Sequence, residues 1–365
     1  MAVDPASPRF ARQRILAGFG PDAQRRLAEA HVVVVGAGGL GSAVLPLLAA
    51  AGVGILTIVD DDTVAESNLH RQTLHTAADV GRSKAEVAAE VLRRLAPDAD
   101  IRALPVRFEP GMTFDLLLDA DVLVDATDNL AARYLANDAA AVRGIPLVWG
   151  SALAYAGQAG VAWDEKGVDY RDLFPEDGSA DGGDTCDVVG VLPSVPAVIG
   201  STMATEVLKL LTGVGEPLLG RVAAFDALSG RTREIEYRRD PEAPRPGSLE
   251  ERTQAPVDTP RRTITPEELR DELAGSTPPV LLDIREPWEA EIVSIPGSVL
   301  IPMGDIPVRM TELDSDAETV VYCHHGVRSA RVLEFLEQNG FTDARHLTGG
   351  VDAYAAKVDP GLARY

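Results

Sequence analysis

The longest apolar stretch of the chain runs from Val32 to Val59 without one charged residue. By length and hydropathy alone it would suit a bilayer span. Its internal pattern argues otherwise. Six glycines and Pro46 interrupt it, and Val32–Val35 and Ile55–Val59 are β-branched blocks of strand length. The segment reads as strand, glycine turn, helix and strand, a buried β-α-β unit over roughly His31 to Asp60. Pro46 falls inside the predicted helix. In an isolated helix interior it would cost about 3 kcal/mol, so a kink is expected there.

Similar patterns place the other elements. Arg9 to Leu16 suits a short amphipathic helix, broken at Gly18–Pro21. From Arg82 to Leu95, Val87, Val91 and Leu95 share one helical face, and the helix stops before Pro97. Val122–Asp125 and Pro146–Trp149 read as strands around a helix from Ala131 to Val142, and Gly160–Trp163 and Val222–Phe225 as later strands. Asp177 to Asp184 is rich in glycine and aspartate and reads as a loop. Ala197 to Leu211 is a helix ending at Gly213. Residues 241–262 are rich in proline and charge and lack periodicity, which marks a linker between domains at 1–240 and 263–365. In the second domain Val280–Ile284, Thr319–Cys323 and Ala344–Leu347 are strands, and Ser329–Gln338 is a helix closed by Gly340.

Composition narrows the function classes. A chain of 365 residues favours two domains. The formal charge of -22 argues against a nucleic-acid or anionic-membrane partner. Lys84, Lys166, Lys209 and Lys357 are the only lysines, so a lysine inside a motif is informative. Two distant cysteines are no disulfide framework and fit a reducing, cytoplasmic setting. Met1 to Arg14 lacks the apolar core of a signal peptide.

The first chemical motif is the glycine loop Gly36-Ala37-Gly38-Gly39-Leu40-Gly41. Between a strand and a helix it lets the backbone approach phosphate, whose charge the helix N-terminus favours. Asp60, at the end of the next strand, is placed for ribose hydroxyls. A dinucleotide dehydrogenase is the usual owner of such a loop, but the segments C-terminal to Asp60 are unlike a dehydrogenase. Asp60-Asp61-Asp62-Thr63-Val64, Ser67-Asn68-Leu69-His70-Arg71-Gln72 and Gly81-Arg82-Ser83-Lys84 gather Asn, Arg, Gln and Lys behind the loop. That set suits a triphosphate with charge developing on pyrophosphate. Thr127-Asp128-Asn129 adds a carboxylate suited to Mg²⁺.

With R-F-A-R-Q at 9–13, A-G-V-G at 51–54 and A-T-D-N at 126–129, these motifs make residues 9–240 resemble the MoeB/ThiF type of ubiquitin-activating-enzyme-like adenylyltransferase. The resemblance implies a Rossmann-like mixed sheet, ATP and Mg²⁺ as cofactors, and activation of the terminal glycine of a small ubiquitin-like carrier protein. By motif, the glycines Gly36, Gly38, Gly39 and Gly41 would cradle ATP, with Asp60 and Asp62 beside them. Asp60 would hold ribose. Arg71, Gln72 and Lys84 would contact phosphates, with Arg71 and Lys84 acting in catalysis. Asn68 would help order the site, Asp128 would bind Mg²⁺, and Asn129 would flank it. Arg12 would reach the ATP of a partner subunit in a homodimer, although Arg9 fills the same motif. Many members bind structural zinc through two C-x-x-C pairs. Here the first pair falls on Asp169 and Asp172 and the second near Ala243 and Pro246, so zinc is not expected. Cys186 falls where the family places a cysteine in a crossover segment. The resemblance implies a thioester or acyl-disulfide role in some members.

The second loop is Cys323-His324-His325-Gly326-Val327-Arg328, followed by Ser329. Converging amides, the helix N-terminus and Arg328 favour a thiolate on Cys323 and a nucleophilic or persulfide-carrying role. The C-x4-R spacing is one residue shorter than the C-x5-R loop of a phosphatase, which suits sulfur better than phosphate. With L-L-D-I-R-E-P-W-E at 281–289, I-P-G-S at 295–298 and L-T-G-G-V-D-A-Y at 347–354, residues 263–365 resemble a rhodanese domain, a small doubly wound α/β fold. This implies a persulfide on Cys323, a loop-forming Arg328, and structural roles for Asp283 and Arg285. His324 and His325 are either tuning groups or bystanders.

Both resemblances together match fused adenylyltransferase–sulfurtransferases, which make a thiocarboxylate on a sulfur-carrier protein ending in Gly-Gly. They imply sulfur supply by a donor such as a cysteine desulfurase. A conjugating enzyme working through a Cys186 thioester is the alternative. The pathway served stays open among molybdopterin, thiamin, cysteine and tRNA thiolation.

Overall fold

The computed structural model describes residues 2–175, 190–243, 245, 262–275, 278–315 and 317–364. The chain divides into two compact units, Met1–Ala255 and Pro256–Tyr365. Cys186, the loop at 177–184 and most of the expected linker lie outside the described residues.

The first unit is built on eight strands: β1 His31–Val35, β2 Ile55–Val59, β3 Asp100–Leu104, β4 Val122–Asp125, β5 Leu147–Leu153, β6 Ala156–Ala162, β7 Arg221–Asp226 and β8 Arg231–Glu236. Their order is β3-β2-β1-β4-β5-β6-β7-β8. β3 through β5 are parallel, and β6 to β8 continue as antiparallel hairpins. Its helices are α1 Ala11–Arg14, α2 Gly20–Glu29, α3 Gly39–Ala51, α4 Lys84–Leu95, α5 Pro110–Leu116, α6 Leu130–Arg143 and α7 Ser194–Thr212. The apolar blocks of β1 and β2 are buried on both faces, as expected for central parallel strands. Leu40, Val44, Leu45 and Leu48 of α3 join Val32, Val34 and Ile58 in one core. α3 runs as one element through Pro46 and ends at Gly52, whose φ of 91° closes it in a left-handed cap.

α7 is long and apolar enough to cross a membrane by length and composition, but half of it is buried inside the unit. Val195, Ile199, Met203 and Val207 sit in the same core as α3. At Gly200 an added Cβ would stand 2.7 Å from both Ala43 Cβ and Leu40 O, so the two helices touch through backbone.

The second unit is a five-stranded parallel sheet in the order β11-β10-β12-β13-β9, with β9 Thr263–Ile264, β10 Val280–Asp283, β11 Val299–Leu300, β12 Thr319–Tyr322 and β13 Ala344–Leu347. Helices α8 Pro266–Leu273, α9 Pro287–Ile292, α10 Ile306–Arg309, α11 Val327–Gln338 and α12 Gly350–Lys357 complete it. Separate apolar clusters line the sheet, one with Leu282, Val321 and Leu336 and the other with Leu281, Val320 and Leu347.

Candidate active sites

In the first unit β1 pairs with β2 on one side and β4 on the other. The crevice at the carboxyl ends of these strands is the topological switch point where α/β sheets bind ligands. The glycine loop leaves β1 there, Asp60 follows β2 and Ala126–Asp128 follow β4. Gly36 has φ +100°, and a Cβ on it would lie 2.6 Å from Ala126 O. Backbone thus packs on backbone and draws the β4 loop against the glycine loop. Ala37 N–H donates to Asp60 Oδ2 at 2.7 Å, and Asp62 N–H donates to Asp60 Oδ1 at 2.9 Å. Burial raises the Asp60 pKa, against the pull of these two amides and the Lys84 charge.

The expected phosphate ligands close the other side. A Cβ on Gly39 would touch Pro196 at 3.2 Å and Arg71 Cγ at 3.6 Å, so the Arg71 stem lies along the loop. The Arg71 guanidinium donates to Ser67 O at 3.4 Å. Asn68 acts through its backbone, its carbonyl accepting from the Arg71 and Gln72 amides at 3.1 and 3.0 Å. Gln72 is 3 % exposed and its Oε1 is buried with no hydrogen-bond partner. The Gln72 Nε2 lies 3.4 Å from where Gly38 would carry a Cβ. A buried amide oxygen without a donor costs stability; the amide nitrogen is the end that borders the glycine loop. Lys84, 6 % exposed, opens α4 and pairs through Nζ with Asp62 Oδ2 at 2.8 Å. That carboxylate is exposed, so the lysine can exchange it for a phosphate without leaving the site.

Three expected residues are exposed. Asp128 is exposed at the end of β4. Asn129 caps α6, its Oδ1 accepting the Ala132 N–H at 2.8 Å, so it has a helix-capping role that its motif did not suggest. Arg12 is exposed on α1. Behind the β4 loop lies a buried network that no sequence motif announced. Arg133 Nε donates to Asp125 Oδ2 at 2.7 Å, Thr127 Oγ1 donates to Asp125 Oδ1 at 2.6 Å, and Arg133 Nη2 donates to the Thr127 and Gly150 carbonyls. Asp125 and Arg133 hold the turn that presents Asp128.

The positions of the family's first cysteine pair carry an ion-pair and amide network. Asp169 Oδ1 accepts from the Arg171 and Asp172 amides, and Asp172 Oδ2 accepts from the Asp169 amide. Arg245 Nε donates to Asp169 Oδ2 at 2.9 Å and its Nη2 to Asp172 Oδ1, which also accepts the Asp240 amide. Arg239 adds a second guanidinium at 3.6 and 3.7 Å. Every carboxylate oxygen is taken, and two positive charges stand where a cation would. Among the described residues, no group of three or more His, Cys, Asp or Glu is gathered as a metal site.

In the second unit Cys323 follows β12, 1 % exposed, and Gly326 N–H donates to its Sγ at 3.1 Å. The Ser329 hydroxyl lies 3.7 Å from the sulfur and donates to Gly326 O. α12 fixes the loop from behind: the Val351 and Asp352 amides donate to the Cys323 and His324 carbonyls at 2.9 and 3.1 Å. A Cβ on Gly350 would stand 2.2 Å from His324 O, so this approach demands glycine. A helix N-terminus thereby takes up the loop carbonyls, while the Gly326 amide faces the sulfur.

Arg328 has a partner that its loop motif did not foretell. It forms a two-bonded pair with Glu289 of α9, at 2.7 and 2.6 Å. α11 also begins at Val327, two residues earlier than expected, which makes Arg328 part of the helix. Arg328 therefore braces the loop against α9, and its charge is shared with a carboxylate. Asp283 and Arg285 are structural, as expected. Arg285 is fully buried, binds both Asp283 oxygens and the Val293 carbonyl, and Tyr322 OH donates to Asp283 Oδ2 at 2.9 Å.

His324 and His325 stack at 3.8 Å between centroids. Burial, with the neighbouring His325, lowers the His324 pKa to about 4, against the Asp352 and Glu289 charges. The ring is neutral at pH 7. Since the folded pKa lies below the ordinary imidazole value of about 6.5, the unfolded chain binds more protons between these values. Stability is then whole above 6.5 and declines as pH falls toward 4. Calorimetry of wild type and His324→Asn should show the variant losing less stability across that window. Parallel curves would refute a half-buried neutral His324.

One unit thus holds a glycine loop at the switch point of a mixed sheet, and the other a thiol that accepts a loop amide at the end of a parallel strand. Those are the parts of a nucleotide-using transferase joined to a sulfur-handling domain. The family comparisons agree: residues 10–245 match the ThiF family and residues 265–357 the Rhodanese-like domain. The chain belongs to the ThiF family and carries a rhodanese-like domain after it. It is 43% identical over 384 aligned positions, covering 100% of this chain and 98% of the relative, to the probable adenylyltransferase/sulfurtransferase MoeZ of Mycobacterium tuberculosis. It is 36% identical to the adenylyltransferase and sulfurtransferase MOCS3-1 of Zea mays, covering 98% and 83%. The sulfur carrier protein adenylyltransferase of Thermus thermophilus is 46% identical over 65% of this chain and 89% of its own. Among solved structures, E. coli MccB with ATP shares the fold at a TM-score of 0.57 and 19% identity, over 66% of this chain and 74% of that one.

Proposed function

We propose that this protein adenylates the terminal glycine of a small ubiquitin-like sulfur-carrier protein ending in Gly-Gly. It then replaces the adenylate with sulfur carried on Cys323, giving a thiocarboxylate. The chain is an adenylyltransferase and sulfurtransferase, and the observation that carries the finer reading is the pair of cations, Arg71 and Lys84, beside the glycine loop. A glycine cradle with the Arg71 stem along Gly39, and a buried Lys84 held by an exposed, exchangeable carboxylate, fits a phosphorylated ligand.

In the first step a carboxylate oxygen of the carrier bonds to the α-phosphorus of ATP, and the bond from that phosphorus to the bridging oxygen breaks. Pyrophosphate leaves. The reaction needs mainly positioning and charge neutralisation. The glycine loop and the N-terminus of α3 hold phosphate, Asp60 takes the ribose hydroxyls, and Arg71 and Lys84 offset the charge on pyrophosphate. Mg²⁺ fits here too: Asp128 would hold it with phosphate oxygens, one carboxylate being enough for this ion, and it would supply further charge neutralisation.

In the second step the outer sulfur of a Cys323 persulfide attacks the acyl carbon and AMP leaves. This gives an acyl disulfide between carrier and Cys323. A thiolate, for which Cys186 is the candidate, then attacks the Cys323 sulfur. The thiocarboxylate departs and a protein disulfide remains for a cellular dithiol to reduce. An S–S bond of about 2.05 Å carries the outer sulfur beyond Sγ, so the attack on the acyl carbon does not require the 1 % exposed Sγ itself to reach the carrier. Sulfur reaches Cys323 from a donor such as a cysteine desulfurase. We place the enzyme in the cytoplasm as a homodimer, with Arg12 or Arg9 reaching the partner's nucleotide.

The test is ATP–pyrophosphate exchange with candidate carriers, each with and without its terminal Gly-Gly. Exchange that requires one intact tail is expected. Absence of exchange with every carrier would refute adenylation.

The reading includes no structural zinc, supported by the full engagement of Asp169 and Asp172 by Arg239, Arg245 and backbone amides. Metal analysis should find far less than one zinc per chain, and a chelator should leave the melting temperature unchanged. Stoichiometric zinc would overturn this.

A further inference from the structure

Ala37, the second residue of the glycine loop, has both backbone polar groups held by side chains from outside the loop. Its N–H donates to Asp60 Oδ2 at 2.7 Å, and its carbonyl accepts from His75 Nε2 at 3.0 Å. Its side chain is fully buried. The Asp60 half of this clamp belongs to the ribose end of the site. The His75 half has no part in the reaction described above.

His75 is 5 % exposed and lies three residues beyond Gln72, to whose carbonyl its own N–H donates at 3.1 Å. A carbonyl only accepts, so the ring proton resides on Nε2. The other nitrogen, Nδ1, is buried without a partner. Protonation would place a second N–H there with nothing to receive it. Burial lowers the His75 pKa and the Lys84 charge adds to this, against the Ala37 carbonyl and the Asp60 and Asp79 carboxylates. The ring is a neutral donor with a fixed tautomer.

We infer that His75 is a positioning residue for the triphosphate, acting through the Ala37–Gly38 peptide. In a trans peptide the C=O and N–H point in opposite directions. Holding the Ala37 oxygen on His75 therefore turns the Gly38 N–H to the other side of the loop, to receive a phosphate oxygen. Without that donor the peptide is free to rotate, and the carbonyl can turn a partial negative charge toward the phosphates. The same segment then serves twice, with Arg71 lying along the loop and His75 setting the backbone that faces the ligand. The inference rests on the reading of this loop as the ATP site.

Binding of ATP with Mg²⁺ to the full-length protein by titration calorimetry tests it, with His75→Leu and His75→Gln compared. Glutamine places an amide donor near the Nε2 position, and leucine places none. His75→Leu should weaken ATP binding about tenfold or more, about 1.4 kcal/mol, and raise the KM for ATP in pyrophosphate exchange by a similar factor. His75→Gln should stay within about threefold of wild type. Sulfur transfer from thiosulfate to cyanide by the second unit should be unchanged in both. Equal binding by wild type and His75→Leu would overturn the inference, as would equal losses in both variants, which mark a packing role only. If wild type itself bound no ATP, the nucleotide reading of the loop would fail, and the inference with it.

Discussion

Cys323→Ser protein should lose sulfur transfer to the background rate while its carrier-dependent ATP–pyrophosphate exchange stays within about twofold of wild type. The reason is chemical. A hydroxyl cannot carry a sulfane sulfur as a persulfide, and it is not ionised where a thiolate would be. The replacement is small, so the Gly326 amide, the Ser329 hydroxyl and the two α12 amides that hold the loop keep their partners. The adenylation site proposed above lies in the other compact unit, Met1–Ala255. The measurement is thiocarboxylate formation on the carrier by mass spectrometry, with the physiological sulfur donor and separately with free sulfide. Sulfide should still react with the acyl-adenylate in the variant, which isolates the lost step. Thiocarboxylate formed by the variant with the donor, at the wild-type rate, would remove Cys323 from the mechanism.

The contrast between the two loops shows which features a sequence exposes. Both strand–loop–helix junctions were legible because apolar blocks such as Val32–Val35 and Val320–Tyr322 end in chemistry-bearing residues at short range. What was not legible depends on contacts between distant residues. Arg328 pairs with Glu289, 39 positions away, and nothing local marks either as the other's partner. Arg245 reaches Asp169 from 76 positions away. His75 stands in the same motif-rich segment as Gln72, but its target is a backbone carbonyl, which leaves no trace in side-chain pattern. β3 and β8 escaped for another reason. They are the two edges of the sheet, and β8 is exposed at every residue, so no alternation of apolar and polar positions announces it. α2 was lost because Gly20 and Pro21 look like a break, whereas they are the first two residues of the helix, where proline is favoured.

Gly41→Ala should reduce ATP–pyrophosphate exchange by about a hundredfold or more while leaving sulfur transfer from thiosulfate to cyanide intact. Gly41 lies inside the first turn of α3, and its conformation is one that alanine adopts freely. Local propensity alone would make this a stabilising change of roughly 0.5–1 kcal/mol. Packing reverses the sign. A Cβ at this position would stand 2.2 Å from Gly36 O and 3.0 Å from its carbonyl carbon. The carbonyl belongs to the loop itself and has little room to retreat. Gly36 N–H is tied to Val59 O at 2.8 Å, and Gly36 already packs on the Ala126 backbone on its other side. The clash is relieved only by moving the loop off the switch point, by a distance comparable with the ångström that costs about a hundredfold in a positioned reaction. The second unit folds around its own sheet and clusters and does not register the change. Calorimetric ATP binding separates the two contributions, since a displaced cradle lowers affinity as well as turnover. Gly41→Ala protein exchanging pyrophosphate within tenfold of wild type would mean that the phosphates do not lie against this turn.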